Sequence, residues 1–141
     1  MFKLSTKTRY GLRALCQLAQ VKKGYTIPAH QLAKDQEISL SYLEQVLNVL
    51  KHHGIVESFK GPGGGYKLNV DPKKIILKDV IEILEGPVLI TDCSADPSKC
   101  HRAEDCLTRA LWQKIGNQVN SFLGKITLND LVKKNCKKLC K

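Results

Sequence analysis

Apolar residues recur along this chain at steps of three and four, in blocks separated by glycine and proline, and that pattern predicts a mainly helical protein. Residues 5–21 read as the first helix. Ser5 can cap it, Leu12, Leu15, Leu18 and Ala19 supply its apolar stripe, and Lys7, Arg9 and Arg13 lie off that stripe. Lys22-Lys23-Gly24 follows, with cations and a glycine where the dipole and a chain reversal favour them. Next, Thr26 is a plausible cap and Pro28 fits a first turn, so a short helix is expected to about Lys34. After a polar turn with Ile38 facing inward, Leu40, Leu43, Leu47 and Leu50 predict one buried stripe. Ser41, Glu44, Gln45, Asn48 and Lys51 fall on the other faces, and His52-His53-Gly54 ends the helix.

Two short helices joined by a tight polar turn, the second polar on its outer face, form the helix-turn-helix pattern. A helical pair packed into any small core would show the same periodicity. The segment that follows separates the two readings. Ile55–Phe59 and Tyr66–Val70 are β-prone runs flanking Lys-Gly-Pro-Gly-Gly-Gly, which predicts a hairpin with a wide tip bordered by Lys60 and Lys67. A hairpin directly after such a pair is a wing, able to carry cations to a phosphate backbone. The rival reading of the glycines as a phosphate-cradling loop fails, because no Gly-Lys-Ser/Thr follows and no helix starts there.

Leu77, Val80, Ile81 and Leu84 mark another helix, and Gly86-Pro87 stops it. Further on, Leu107, Leu111, Ile115, Val119, Phe122 and Ile126 recur at steps of four and three. A helix over 107–125 would run about 28 Å. It has little of its own chain to pack against, so its stripe is expected to meet a second copy of itself, with Leu111, Trp112, Ile115, Val119 and Phe122 at the contact and Trp112 and Phe122 as anchors. Folding back onto the first domain is the alternative. Thr127-Leu-Asn-Asp130 resembles a capping box opening a last short helix. The expected fold is mainly α with a small β wing: a winged helix-turn-helix domain over 1–86, a connecting loop over 87–106, and a dimerisation helix with tail over 107–141.

Charge sharpens this picture. The chain of 141 residues carries a formal net charge of +10. Residues 1–80 hold 13 Lys/Arg against 6 Asp/Glu, and residues 81–141 hold 10 against 7. A densely anionic partner is therefore expected to meet the first half, although a solvated basic surface would give the same totals. No apolar run of about 18 residues exists and the N-terminus lacks a secretory pattern, so a cytoplasmic location without membrane contact is expected. In that compartment clustered cysteines are more often metal ligands or sensors than bridges.

The stretch TDCSADPSKCHRAEDC holds three such thiols, Cys93, Cys100 and Cys106, in a polar loop. Their spacing is not that of a CxxC redox pair. His101 is the nearest imidazole, and three cysteines with His101 would make a tetrahedral zinc site. Thiolates also suit iron–sulfur clusters. Cys106 is expected to open the long helix, where the dipole favours a thiolate. Cys16 reads as a core residue, and Cys136 and Cys140 as thiols of the tail. No nucleophile–base pair or paired carboxylates appear, which argues against an enzyme.

The segments LSTKTRYGLRAL, ISLSYLEQVL and KGPGGGY, followed by CLTRALW and ITLNDLV, resemble the IscR-like family of bacterial winged-helix regulators from Leu4 to about Val132. The resemblance implies a homodimer that binds double-stranded operator DNA and, as in many members, senses through an iron–sulfur cluster of either [2Fe–2S] or [4Fe–4S] type held by Cys93, Cys100 and Cys106. It implies recognition-helix roles for Ser39, Ser41, Tyr42, Glu44 and Gln45. Glu44 would accept from cytosine N4 and Gln45 would read adenine, unless Ser41 and Glu44 form a capping box instead. Lys60 stands where cluster regulators often carry arginine. Arg9, Tyr10, Arg13 and Lys51 are candidates for phosphate contacts. The family's two familiar fourth-ligand positions are Arg109 and Arg9 here, and arginine has no lone pair to donate. His101, Glu104, Asp105 or a small exogenous thiol remain as fourth ligand. Control of iron–sulfur biogenesis genes is the expected role. A zinc-stabilised or metal-free regulator of cysteine metabolism is the alternative, with a small iron–sulfur electron carrier as the other class.

Overall fold

The computed structural model describes residues 3–133. Helix α1 (Thr6–Ala19) begins at Ser5, whose hydroxyl accepts from the Thr8 N–H at 3.3 Å. The Ser5 N–H donates to the Glu85 carboxylate at the end of α4 (Leu77–Glu85), so two helix termini are tied together. Where α1 crosses α3 (Leu40–His52) and α4, a Cβ on Gly11 would fall 2.7 Å from Leu84 Cδ1 and 3.2 Å from Val46 Cγ1. Glycine there lets the helix backbones approach closely. The core is leucine-rich: Leu15, Leu32, Leu43, Leu47 and Leu50 are fully buried, each contributing about 1.5–3 kcal/mol relative to exposure.

Helix α2 (Ala29–Gln36) has Pro28 at its N-cap position with no side-chain cap. Thr26 therefore does not cap it, contrary to the sequence expectation; its hydroxyl donates to the Gly63 carbonyl at 2.9 Å and ties the wing tip down. The turn to α3 closes by Glu37 N–H to Lys34 O and Ile38 N–H to Ala33 O, with Glu37 left-handed at φ 56°. Gln17 and Gln31 both donate to Asp35, and Gln36 donates to Gln17, so polar side chains set the angle between α1 and α2. On α3 the buried stripe is Leu43, Val46, Leu47 and Leu50, while Leu40 is 42% exposed. Leu40 opens the helix beside its Ser39 cap and faces solvent, which corrects its place in the predicted stripe.

Strands β1 (Val56–Phe59) and β2 (Gly65–Leu68) pair antiparallel, Val56 opposite Leu68 and Phe59 opposite Gly65. Ile27 and Tyr66 exchange both backbone hydrogen bonds, at 2.9 and 2.8 Å, and so join the hairpin to the segment entering α2. Gly65, at φ 145°, is required there: a Cβ would lie 2.2 Å from the Ile27 carbonyl oxygen. The expected mainly helical fold with a two-stranded wing is what the chain forms.

Beyond α4, residues 87–108 contain only a four-residue helix, α5 (Asp92–Ala95), and a 3-10 turn at Pro97–Lys99. Helix α6 (Arg109–Leu123) is shorter at both ends than the pattern implied, and Leu107 lies ahead of it, 96% exposed. The chain then returns. Leu77 N–H donates to Ile126 O and Leu128 N–H to Ile75 O, and α7 (Leu128–Val132) follows with a complete Thr127/Asp130 capping box. Ile126 and Leu128 are 2% and 0% exposed. Ile126 thus belongs to the core rather than to the α6 stripe, because the chain turns at Gly124. Cys136 and Cys140 lie outside the described residues.

Candidate nucleic-acid interface and cysteine loop

The outer face of α3 and the wing form the two walls of one groove. Glu44, Asn48 and Lys51 line it from α3, Lys60 and the wing glycines from the hairpin, and His30 from the first turn of α2. Ser41, Glu44, Gln45 and Lys51 are exposed, as a groove-reading face requires. Ser39 caps α3, its hydroxyl accepting from the Tyr42 N–H at 3.1 Å. The cap being Ser39, Ser41 and Glu44 do not form a capping box, and the Glu44 carboxylate is left to the groove. Burial pushes the Tyr66 hydroxyl pKa upward, and the Glu44 charge adds to it.

Cations are brought to this face by packing rather than by sequence proximity. The Tyr42 ring meets Tyr10 edge-on with centroids 6.2 Å apart, and the Arg13 guanidinium lies 5.3 Å from the Tyr10 centroid. Arg13 and Tyr10 therefore flank the first turn of α3, with Arg9 exposed on the same helix. Lys67 sits over Phe59 at 4.8 Å, stiffening the wing. The sequence reading put Asn48 on the polar face of its helix without naming it a DNA contact, and it missed His30. Asn48 follows Glu44 at helical spacing and was recoverable from the pattern; His30 depends on α2 packing beside a hairpin some thirty residues later, which leaves no local signal.

The cysteine loop is anchored unevenly. Cys93, half-buried on α5, has its sulfur 3.3 Å from Thr91 Oγ1, and its carbonyl accepts from Arg109 Nε at 2.9 Å. Gln113 donates to Ser94 O at 3.0 Å and Asn120 to Val88 O at 3.1 Å. Arg109, where the resemblance leads one to seek a histidine ligand, is thus engaged with backbone. Cys100 follows the 3-10 turn, which Asp96 caps through Ser98, and His101 beside it is exposed. Cys106 precedes α6 rather than opening it, since Thr108 is the N-cap. The Thr108 hydroxyl lies 3.3 Å from its sulfur, and this with the Thr108 and Arg109 N–H groups holds the Cys106 thiol below its ordinary pKa. Cys16 is half-buried in α1 and burial raises its pKa, as expected of a core thiol.

In kind, these donors suit a soft metal centre: Cys93, Cys100 and Cys106 are free thiols, and the pKa of Cys106 is shifted downward by its hydrogen bonds. In position, no three His, Cys, Asp or Glu side chains among the described residues converge as a ligand set. No helix among the described residues is long and apolar enough to cross a membrane.

Comparison with known proteins places these features. Residues 4–134 match the model of the Rrf2 family, described as iron-dependent transcriptional regulators. The HTH-type transcriptional regulator IscR of Xenorhabdus nematophila is 38% identical over 131 residues, 93% of this chain and 79% of that protein. The Vibrio campbellii IscR is 37% identical over 133 residues, 94% of this chain and 79% of that protein. Among solved structures, CymR, the global cysteine regulator of B. subtilis, superposes with TM-score 0.78 at 35% identity, covering 94% of this chain and 97% of CymR. T. potens IscR superposes with TM-score 0.75 at 31% identity, covering 99% and 92%. These relatives are regulators and not enzymes, and with the groove and wing already described the chain belongs to the Rrf2 family of DNA-binding transcriptional regulators.

Proposed function

We propose that this protein is a homodimeric regulator whose grip on operator DNA follows the state of an iron–sulfur site on Cys93, Cys100 and Cys106, and that it controls iron–sulfur biogenesis genes. The observation that carries the reading is the placement of the three-thiol loop between the reading head, residues 1–86, and α6, with hydrogen bonds running from the loop backbone to that helix. When bound, the cluster supplies a redox- and iron-sensitive bond between the thiolates. The chain's own part is to present three soft donors, with His101 as the candidate fourth, and to hold α6 against the loop.

Residues 107–141 serve dimerisation in this reading. Leu111 and Phe122 are each 50% exposed, and Trp112, Ile115 and Val119 are only partly covered. That stripe has the character of an interface between copies. In a dimer each α3 would enter a major groove, with half-sites about 34 Å apart. Ser39, Ser41, Tyr42, Glu44 and Gln45 contact bases or their flanking phosphates, and Arg9, Arg13, Lys51 and Lys60 contact phosphate.

A second reading has its own support. The global cysteine regulator CymR of B. subtilis superposes on the chain with TM-score 0.78 at 35% identity. A zinc-bound or metal-free regulator of cysteine metabolism fits that likeness. Anaerobic purification followed by absorption spectroscopy and iron, sulfide and zinc counts separates the readings, and operator affinity with and without the cluster completes the test. Stoichiometric iron and sulfide with a cluster-dependent affinity is the expected result. Zinc alone, no metal, or equal affinities would overturn the cluster reading.

A further inference from the structure

Arg109, Gln113, Gly116 and Asn120 stand at i, i+4, i+7 and i+11 of α6 and so share one narrow face. Three of them donate to carbonyls of the preceding segment: Arg109 to Cys93, Gln113 to Ser94, Asn120 to Val88, at 2.9, 3.0 and 3.1 Å. The fourth has no side chain and lets Ile90 against the helix, 3.7 Å from where a Cβ would stand. The Cys93 and Ser94 carbonyls belong to α5, a single helical turn whose last carbonyls have no partner within the turn. Arg109 and Gln113 satisfy them. The turn bearing Cys93 therefore cannot shift along α6 without leaving two carbonyls unpaired. The Cys106 sulfur is held from its own stretch of chain, by Thr108 and the Arg109 N–H, and by no side chain reaching across from α6, while the Cys100 backbone bonds stay within the loop, to Pro97 and Ala103.

We propose that Arg109 and Gln113 are positioning residues: they make Cys93 the fixed thiol of the loop, and they convert movement of that thiol into movement of α6. Ligation would then draw Cys100 and Cys106 toward Cys93, and the load would reach α6 through the Cys93 and Ser94 carbonyls. The coupling half of this proposal rests on the reading of the loop as a metal-dependent sensor; the positioning half does not.

The double variant Arg109→Met/Gln113→Met keeps side-chain length and removes both donors. On full-length, metal-free protein, iodoacetamide alkylation resolved by peptide mass spectrometry should show Cys93 reacting at least threefold faster in the variant, with Cys100 and Cys106 changed less than twofold. An unchanged Cys93 rate overturns the positioning role. On cluster-loaded protein, the ratio of operator affinities between loaded and cluster-free forms should move at least threefold toward one, at unchanged iron content, visible spectrum and melting temperature. A ratio equal to that of the wild-type protein overturns the coupling. If the wild-type protein takes up no iron, the sensor reading and the coupling fall together, and the alkylation rates alone decide the positioning role. Should the double variant not fold, Gln113→Met alone is measured the same way, with the Cys93 rate again deciding.

Discussion

Lys51 Nζ donates to Ser58 Oγ at 2.7 Å and so joins the C-terminal turn of α3 to the first strand of the wing. One of three ammonium donors is spent on holding the two walls of the groove together. Ser58→Ala should leave the fold intact, since an exposed bond of this kind is worth about 0.5–1.5 kcal/mol. It should weaken operator binding a few-fold by loosening the wing. Titration of operator DNA by fluorescence anisotropy, with circular dichroism as the control, checks both halves.

Lys60 is exposed at the start of the wing turn, one residue beyond β1. If it neutralises one phosphate, Lys60→Ala should weaken binding to all sequences alike. The slope of log affinity against log salt should also fall by about 0.9 per subunit. An unchanged slope over a salt series would show that Lys60 makes no such contact.

Gly65→Ala places a Cβ against the Ile27 carbonyl with no flexible side chain to yield, at a φ that alanine resists. The exchange of hydrogen bonds between Ile27 and Tyr66 should be lost and the wing freed from α2. Operator affinity should drop at least tenfold, while the far-ultraviolet spectrum, dominated by the helices, should hardly change.

Glu37 occupies the left-handed position that closes the turn between α2 and α3. Only glycine and a few polar residues adopt that conformation without cost. Glu37→Gly should therefore stabilise the protein by about 0.5–1 kcal/mol. The gain should appear as a higher midpoint in urea unfolding with an unchanged slope.

Cys106 should alkylate with a pH midpoint below that of an ordinary thiol, because Thr108 and the N–H groups at the start of α6 favour its thiolate. A lowered pKa means the reactive form is already present at pH values where Cys16, whose pKa is raised by burial, is still protonated. Thr108→Val removes the hydroxyl and should move the Cys106 midpoint upward. Identical rate–pH profiles for the two proteins would show that the hydroxyl does not act on the sulfur.

Much of this was legible in the chain alone. Ser5, Leu43, Leu47, Leu50, the β runs around the glycines and the Thr127/Asp130 box all behave as their local pattern implies, because caps, stripes and turns are decided within a few residues. The assignment of Thr26 went astray for an equally local reason: its hydroxyl can cap a helix or bind a distant carbonyl, and the nearness of Gly63 decided. Leu40 obeyed the leucine period and still faces solvent, because a first-turn residue beside the cap projects past the end of the core.

The sequence by itself determined the main helices, the helix-turn-helix with its wing, and the presence of three soft donors in one polar loop, but not the short helix α5 inside that loop. Only the tertiary structure decided what covers each apolar face and where the polar side chains of α6 end. Periodicity reports that a face is apolar, not which partner meets it, so Ile126 could extend a stripe or enter the core until Leu77 and Leu128 paired the returning chain with residues 75–77. Likewise Arg109 and Gln113 find backbone carbonyls, which every residue carries, and a bond to an acceptor that is everywhere in the chain leaves no mark on the sequence.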